Sequence, residues 1–165
     1  MGKAIVIYNT RSGNTEKVAT KIAEGLGADL VSYKEIPDLK KYDLIVFGSW
    51  LIFGTISPGG KKFMKKLDSA AMKGKKTALF ITAGSPELAM KKKGKEILQK
   101  DVAFTRMEEI LVAKGAKIVK ERLAVVGAYK FIRRGPGSLH KGHPTEEEFQ
   151  QSVKFGESLK KKYLK

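Results

Sequence analysis

The segment Ala4-Ile5-Val6-Ile7-Tyr8 is a nearly continuous apolar run rich in β-branched residues. A run of this kind reads as a strand buried on both faces, which belongs in a parallel sheet covered by helices above and below. Three more segments share the character. They are Asp43-Leu44-Ile45-Val46-Phe47-Gly48, Thr77-Ala78-Leu79-Phe80-Ile81-Thr82, and Lys117 to Gly127 with its apolar parts Ile118-Val119 and Leu123-Ala124-Val125-Val126. Asp29 to Tyr33 reads as a shorter strand of the same set.

The intervals between these strands carry helix signals. Val18, Ile22 and Leu26 fall at i, i+4 and i+8 with Ala19 and Ala23 beside them, and Gly25 and Gly27 read as the stop. Ser57-Pro58 reads as an N-cap followed by proline at the first helical position, with Phe63, Met64 and Leu67 as the apolar face and Gly74 at the end. Val102, Met107, Ile110, Leu111 and Ala113 outline a further helix closed by Gly115. Thr145-Glu146-Glu147-Glu148 is a capping box before a last helix carried by Phe149, Val153 and Leu159. Lys91 to Lys95 reads as a solvated helix face or loop, and a loop rich in Gly and Pro covers Arg133 to Pro144.

The elements alternate βαβαβαβαβα. That order predicts an α/β fold: one doubly wound five-stranded parallel sheet between two helical layers, with right-handed crossovers. A chain of 165 residues with 42% hydrophobic content suits a single domain spanning 1–165, without a metal or disulfide to hold its core. Ligands of such sheets bind beyond the carboxyl ends of the strands, where the strand order reverses.

The loop after the first strand is Asn9-Thr10-Arg11-Ser12-Gly13-Asn14-Thr15. A strand, a hydroxyl-rich turn with a flexible glycine, and a helix N-terminus together make an anion site, because unpaired backbone N–H groups and the helix dipole meet there. Thr10, Arg11, Ser12, Gly13, Asn14 and Thr15 are its candidate residues. The loop after the third strand contains Ser49, Trp50, Leu51, Phe53 and Gly54. Its Trp50, the single tryptophan, sits at a strand's carboxyl end and is a candidate for stacking on a ligand, with Phe53 as a substitute. The loop after the fourth long strand opens with Ala83, Gly84 and Ser85.

Several classes are excluded. The chain has no cysteine, so disulfides, thiolate catalysis and cysteine–metal sites are absent. No apolar run approaches the ~20 residues of a membrane span. The first residues lead directly into a strand without signal-peptide organisation, which predicts a cytoplasmic location. No Gly-Lys-Ser/Thr follows the first strand, no nucleophile elbow occurs, and Asn9-Thr10 stands where a phosphorylated receiver domain wants acidic residues. His140 and His143 lack companion ligands and read as solvent-exposed loop histidines, so no metal site and no catalytic acid, base or nucleophile is assigned.

Net charge is the unusual number, at +16. Arginine occurs at Arg11, Arg106, Arg122, Arg133 and Arg134, so lysine supplies most of the 33 basic residues. Nucleic-acid sites lean on arginine and exposed aromatics, which this composition does not favour. Lysine enrichment also accompanies heat adaptation.

Thr10-Arg11-Ser12-Gly13-Asn14-Thr15 matches the phosphate-loop pattern T-x-[ST]-G-x-T, extended upstream by the Ile-Val-Ile-Tyr strand and downstream by Glu16. With its five βα units and its length, the chain resembles the flavodoxin family over essentially its whole extent. The resemblance implies non-covalent FMN, with the flavin phosphate on residues 10–15, the ring against Ser49, Trp50 and the run to Gly54, and the loop at Ala83-Gly84-Ser85 closing the other side. It implies an electron-transfer protein working between redox partner proteins, as a monomer or a dimer. Two departures stand out. Many flavodoxins carry a tyrosine in the loop after the fourth strand, whereas no aromatic lies between Thr82 and Ala103 here, which implies a ring face either open or covered by an aliphatic such as Leu88 or Met90. Electron-carrying flavodoxins are typically acidic, whereas this chain is basic, which departs from the usual partner set and predicts acidic redox partners, with Arg133-Arg134-Gly135-Pro136-Gly137 as a candidate further contact surface. Two alternatives follow from these departures. One is an FMN-dependent oxidoreductase with its own turnover, such as an NAD(P)H:quinone reductase or a protoporphyrinogen-oxidase-like enzyme. The other is a basic binding module for an acidic protein or nucleic acid.

Overall fold

The parallel strands divide their side chains between two cores, and this division fixes where the helices lie. In the computed structural model, residues 1–52, 54–128 and 140–165 are described. The elements in chain order are β1 (Ala4–Tyr8), α1 (Asn14–Leu26), β2 (Asp29–Ser32), β3 (Leu44–Ile52), β4 (Thr55–Ile56), α2 (Pro58–Lys66), α3 (Ser69–Met72), β5 (Lys76–Ala83), β6 (Ala89–Lys92), β7 (Lys95–Leu98), α4 (Gln99–Ala113), β8 (Lys117–Val126) and α5 (Glu146–Tyr163). Strands β2-β1-β3-β5-β8 pair in parallel in that order, and β4 adds antiparallel to the end of β3.

Ala4, Val6, Leu44, Val46, Ala78 and Phe80 face α1 and α5, packing with Val18, Ile22, Leu26 and Leu159. Ile5, Ile7, Ile45, Phe47, Leu79 and Ile81 face the other way, toward Phe63 and Met64 of α2 and Phe104, Met107 and Leu111 of α4. This two-sided burial is what the unbroken apolar strands require, since each successive side chain points to the opposite face. The doubly wound α/β architecture is thus the one expected. Strict alternation is not kept, because β2 and β3 are joined by a single 3₁₀ turn at Leu39–Lys41.

Two expected caps form. Ser57 Oγ accepts from the Gly60 amide at 3.0 Å, ahead of Pro58. Thr145 and Glu148 exchange both bonds of a capping box. Gly25, expected as part of a stop signal, lies instead inside α1, and Gly27 with φ 68° ends the helix by donating to the Ala23 carbonyl. Gly25 has a different role. A Cβ placed on it would lie 2.1 Å from the Val153 carbonyl oxygen, and one on Gly156 would lie 2.3 Å from the Ile22 carbonyl oxygen. Helices α1 and α5 therefore meet backbone to backbone, with Ser152, Gly156 and Leu159 as the buried side of α5.

The Lys91 to Lys95 segment is not a helix face. It forms the antiparallel hairpin β6–β7, turning through Lys93 (φ 51°) and Gly94 (φ 76°). Two successive positive-φ residues make the two-residue hairpin turn whose twist matches its strands. Strand β8 also carries an irregularity: Thr77 pairs with Ile118 but Leu79 with Arg122, so β8 holds two extra residues across that interval. Glu121 lies within that bulge. Its side chain, 11% exposed, accepts hydrogen bonds from Lys162 and the Tyr163 hydroxyl, which tie the end of α5 to β8.

Two predictions follow from the packing. Gly25→Ala forces a methyl into the Val153 carbonyl, and thermal melting should show a loss of about 2 kcal/mol or more, the cost of overpacking against backbone. The second concerns pH. The Lys162 bond, then the Tyr163 bond, lower the Glu121 carboxyl from 4.5 to about 2 against the opposing effect of burial, and the bond to Glu121 raises Tyr163 from 10.0 to about 12. The Glu121 contribution is complete above pH 4.5 and is lost as pH falls toward about 2. The Tyr163 contribution is complete below pH 10.0 and is lost as pH rises toward about 12. Denaturant titrations across pH should show Glu121→Gln flattening both limbs, with a loss on the order of 1–2 kcal/mol at neutral pH.

Candidate functional site

The loops leaving β1, β3 and β5 converge at the carboxyl edge of the sheet, and β1 and β3 are the neighbours between which the strand order reverses. The first loop is held at its root by the Asn9 amide, which donates to the Gly48 carbonyl at 2.9 Å. Thr10 Oγ1 accepts from the Gly13 amide at 3.0 Å and closes the turn. Gly13 is the N-cap residue of α1 with φ 94°, a conformation glycine adopts at little cost. Among the described residues no side chain caps the first turn of α1, unlike α2 and α5, which Ser57 and Thr145 cap. Among the described residues, a Cβ on Gly13 would meet nothing within 4 Å, so no described residue fills the space beside this helix start. Uncapped amides at a positive helix end suit an anion.

The side chains of this loop divide into two groups. Arg11 and Ser12 are exposed, and Thr10 and Asn14 are half-buried. Asn14 Nδ2 donates to the Ala128 carbonyl at 2.7 Å and so ties the loop to the end of β8. Thr15 is buried, and its Oγ1 lies 2.7 Å from Thr82 Oγ1. That hydroxyl joins α1 to β5.

The second loop is shorter than the sequence implies, because β3 runs on to Ile52 and turns through Gly54 (φ 72°) into β4, with Leu51 opposite Ile56. Trp50 is half-buried, and its indole Nε1 donates to Asn9 Oδ1 at 3.1 Å. The Arg11 guanidinium lies 5.6 Å from the centre of the Trp50 ring. Ser49 is fully buried with its Oγ 3.2 Å from Ser57 Oγ, so its hydroxyl braces the start of α2. Leu51 packs against the core. Phe53 and the Arg133–Gly137 surface lie outside the described residues.

In the third loop the Ala83 carbonyl accepts from the Gly127 amide at 3.0 Å, and Gly84 and Ser85 are half-buried. Ser85 Oγ lies 3.4 Å from His140 Nε2. Met90 reaches the second loop: a Cβ on Gly54 would sit 2.3 Å from its sulfur. Leu88 is 54% exposed. His143, expected in solvent, is half-buried with Nδ1 2.7 Å from Glu148 Oε1.

Asn9 is the residue that pattern reading passed over. Its signal lies in the register, since Tyr8 pairs with Gly48 and the next residues, Asn9 and Ser49-Trp50, leave the edge side by side. Beside it, the Tyr8 hydroxyl is raised above its ordinary pKa by burial and by its bond to Glu16.

A parallel sheet in the order β2-β1-β3-β5-β8, with a helix N-terminus at its switch point, defines the doubly wound class of α/β proteins. Residues 5–129 match the family model of the flavodoxin domain, and the chain belongs to that family. A protein of Methanocaldococcus jannaschii whose function is uncharacterised is 32% identical over 96% of this chain and 99% of its own length. The flavodoxin-like domain-containing protein BilS of Clostridioides difficile is 26% identical over 95% of this chain and 96% of its own length. A flavodoxin from the domain Archaea superposes with a TM-score of 0.72 over 98% of both chains at 21% identity, a likeness of fold. At family level the chain is an FMN-type electron-transfer flavoprotein, and FMN is the cofactor that membership implies. Among the described residues no helix is long and apolar enough to cross a membrane.

The Asn9 contact yields a test that needs no ligand. Because Trp50 is the single tryptophan, its emission reports this site alone. Asn9→Ala removes the acceptor of the indole N–H, and the emission should shift and become more accessible to acrylamide, with a stability loss of about 1 kcal/mol. Unchanged emission and quenching would show that Asn9 does not hold the ring.

Proposed function

We propose that this chain holds FMN non-covalently at the edge formed by the β1, β3 and β5 loops and carries electrons between redox partner proteins. The observation that carries the reading is the uncapped N-terminus of α1 behind Gly13, beside the half-buried Trp50. The amides of Arg11, Ser12, Asn14 and Thr15 and the hydroxyls of Thr10 and Ser12 suit a dianionic phosphate without a lysine, while the Gly13 amide closes the turn onto Thr10. Asn14 serves by holding the loop to Ala128, and Thr15 by holding α1 to β5, so both act on the phosphate through placement of the backbone. Trp50 offers the isoalloxazine a stacking face, fixed in orientation by Asn9. Backbone groups of Ser49, Leu51 and Gly54 form the wall beside it, and Ala83, Gly84 and Ser85 the opposite rim. When bound, FMN supplies the one- and two-electron chemistry, and the protein tunes its potential and limits solvent access. Such transfer needs no catalytic acid, base or nucleophile from the chain.

A second reading has one supporting observation, the exposed Leu88 in a loop without aromatics. An open ring face admits a small electron donor or acceptor, as an oxidoreductase with its own turnover requires. Steady NAD(P)H oxidation by the protein with a quinone, without an added reductase, would favour this reading.

The visible spectrum of the purified protein tests the central proposal. Flavin bands near one FMN per chain are expected, and after removal of flavin the protein should take FMN back and quench its fluorescence. Gly13→Val strains the positive φ at the helix start and should weaken FMN binding by about tenfold or more. A colourless protein that also fails to take up added FMN would overturn the proposal.

A further inference from the structure

The β6–β7 hairpin is an insertion between β5 and α4, at the same edge of the sheet as the candidate site. It is rooted there by Gln99, whose amide donates to the Leu88 carbonyl at 2.9 Å, and by Lys100, whose amide donates to the Pro86 carbonyl at 3.0 Å. Met90, on its first strand, packs onto Gly54 of the loop that follows Trp50. The hairpin therefore abuts the site and projects from it.

Its composition is lopsided. Lys91, Lys92, Lys93 and Lys95 are all exposed, and Glu96 is the acidic residue on the two strands. The nearby Glu87 is engaged by Lys100 at 2.6 Å and does not offset them. At the foot of this lysine group lies Leu88, 54% exposed. An apolar spot beside the site with a charged projection next to it has the anatomy of a small transient interface, with apolar contact at the centre and charge at the rim. Such charge guides encounter and sets orientation. Base readout and single-strand stacking draw on arginine and aromatics, and the hairpin has neither.

We infer that the β6–β7 hairpin is the docking element for an acidic electron-transfer protein, whose carboxylates engage Lys91, Lys92, Lys93 and Lys95 while its apolar surface meets Leu88. The inference rests on the proposed electron-carrier function for its purpose, though not for the contact itself. A partner seated there lies against the edge where Trp50 stands, which keeps the transfer distance short.

Titration calorimetry with an acidic [2Fe–2S] ferredoxin as probe tests it, using the full chain as purified. One variant carries K91E, K92E, K93E and K95E. A second carries K41E, K73E, K117E and K120E, four exposed lysines elsewhere on the surface, so the net charge change is the same. The hairpin variant should bind about tenfold more weakly or worse, the control within about threefold of the original, because local complementarity and not net charge governs a docked complex. The affinity of the original chain should fall steeply with salt, and that of the hairpin variant much less. Lys→Gln at the same four hairpin positions, monitored by melting temperature, guards against misfolding of the reversed variant. Equal losses in both quadruple variants, or no ferredoxin binding at low salt, would overturn the inference. A hairpin-dependent affinity for duplex DNA above that for the ferredoxin would overturn it in favour of nucleic acid. Flavin content, measured separately, keeps the two claims apart. A colourless protein that still binds ferredoxin through the hairpin sinks the FMN proposal and leaves the docking surface standing.

Discussion

Helix α1 depends on a contact that has no side chains in it. Gly25 and Gly156 let α1 and α5 approach until each helix's Cβ positions would fall on the other's carbonyl oxygens. That approach presses Val18, Ile22 and Leu26 onto the sheet and sets the line along which α1 points. The N-terminus of α1 is then delivered to the edge between β1 and β3, where no side chain among the described residues caps its first turn. A bulkier residue at the crossing would lift α1 from the sheet along its length, because packed interiors transmit displacement rather than absorbing it. The position of Gly13 is in this sense coupled to packing near the far end of the same helix.

The remaining loops are fastened to the same point by a small set of polar bonds. Asn9 joins the phosphate-type loop to Trp50, Asn14 joins it to the end of β8, and Thr15 joins the base of α1 to Thr82 of β5. Each bond joins two different elements at this edge, β1 to β3, α1 to the end of β8, and α1 to β5. No buried side-chain nitrogen or oxygen among the described residues lacks a partner. Buried polar groups left unmatched would cost stability and loosen the geometry, so complete pairing favours a preformed site over one that assembles on ligand arrival.

How much of this was legible in the sequence varies with the range of the interactions. The apolar strands, the Ser57-Pro58 start and the Thr145–Glu148 capping box depend on residues a few positions apart, and they appear where local pattern puts them. The β6–β7 hairpin was misread because its strands carry lysine where a strand signal needs apolar alternation, and what makes it a hairpin is the pair of positive-φ residues at Lys93-Gly94. Ser49 and Thr15 were placed at the correct edge, yet their hydroxyls bond inward to Ser57 and Thr82. Which way a hydroxyl is directed depends on the neighbouring element, and no local spacing encodes that. The same holds for His143, whose partner Glu148 is five residues away but becomes one only because the capping box turns its carboxylate back.

The charge is where composition and structure have to be read together. A net +16 spread evenly over the surface would raise solubility and attract polyanions without orienting them. The chain does not pair off all of its lysines in that way: Lys162 serves Glu121, Lys100 serves Glu87 and Lys21 serves Glu24. Lys91, Lys92, Lys93 and Lys95 are instead gathered on a short hairpin whose two strands carry one acidic residue, Glu96 opposite Lys91. An exposed like-charged hairpin is costly to hold, since its lysines repel one another across the two strands; Lys92 stands opposite Lys95. The turn at Lys93-Gly94 and the packing of Met90 on Gly54 supply the compensation. Lysines gathered against this electrostatic cost beside a candidate ligand edge bear on what approaches that edge, while Met90 and the backbone bonds at Leu88 and Pro86 anchor the hairpin to the fold.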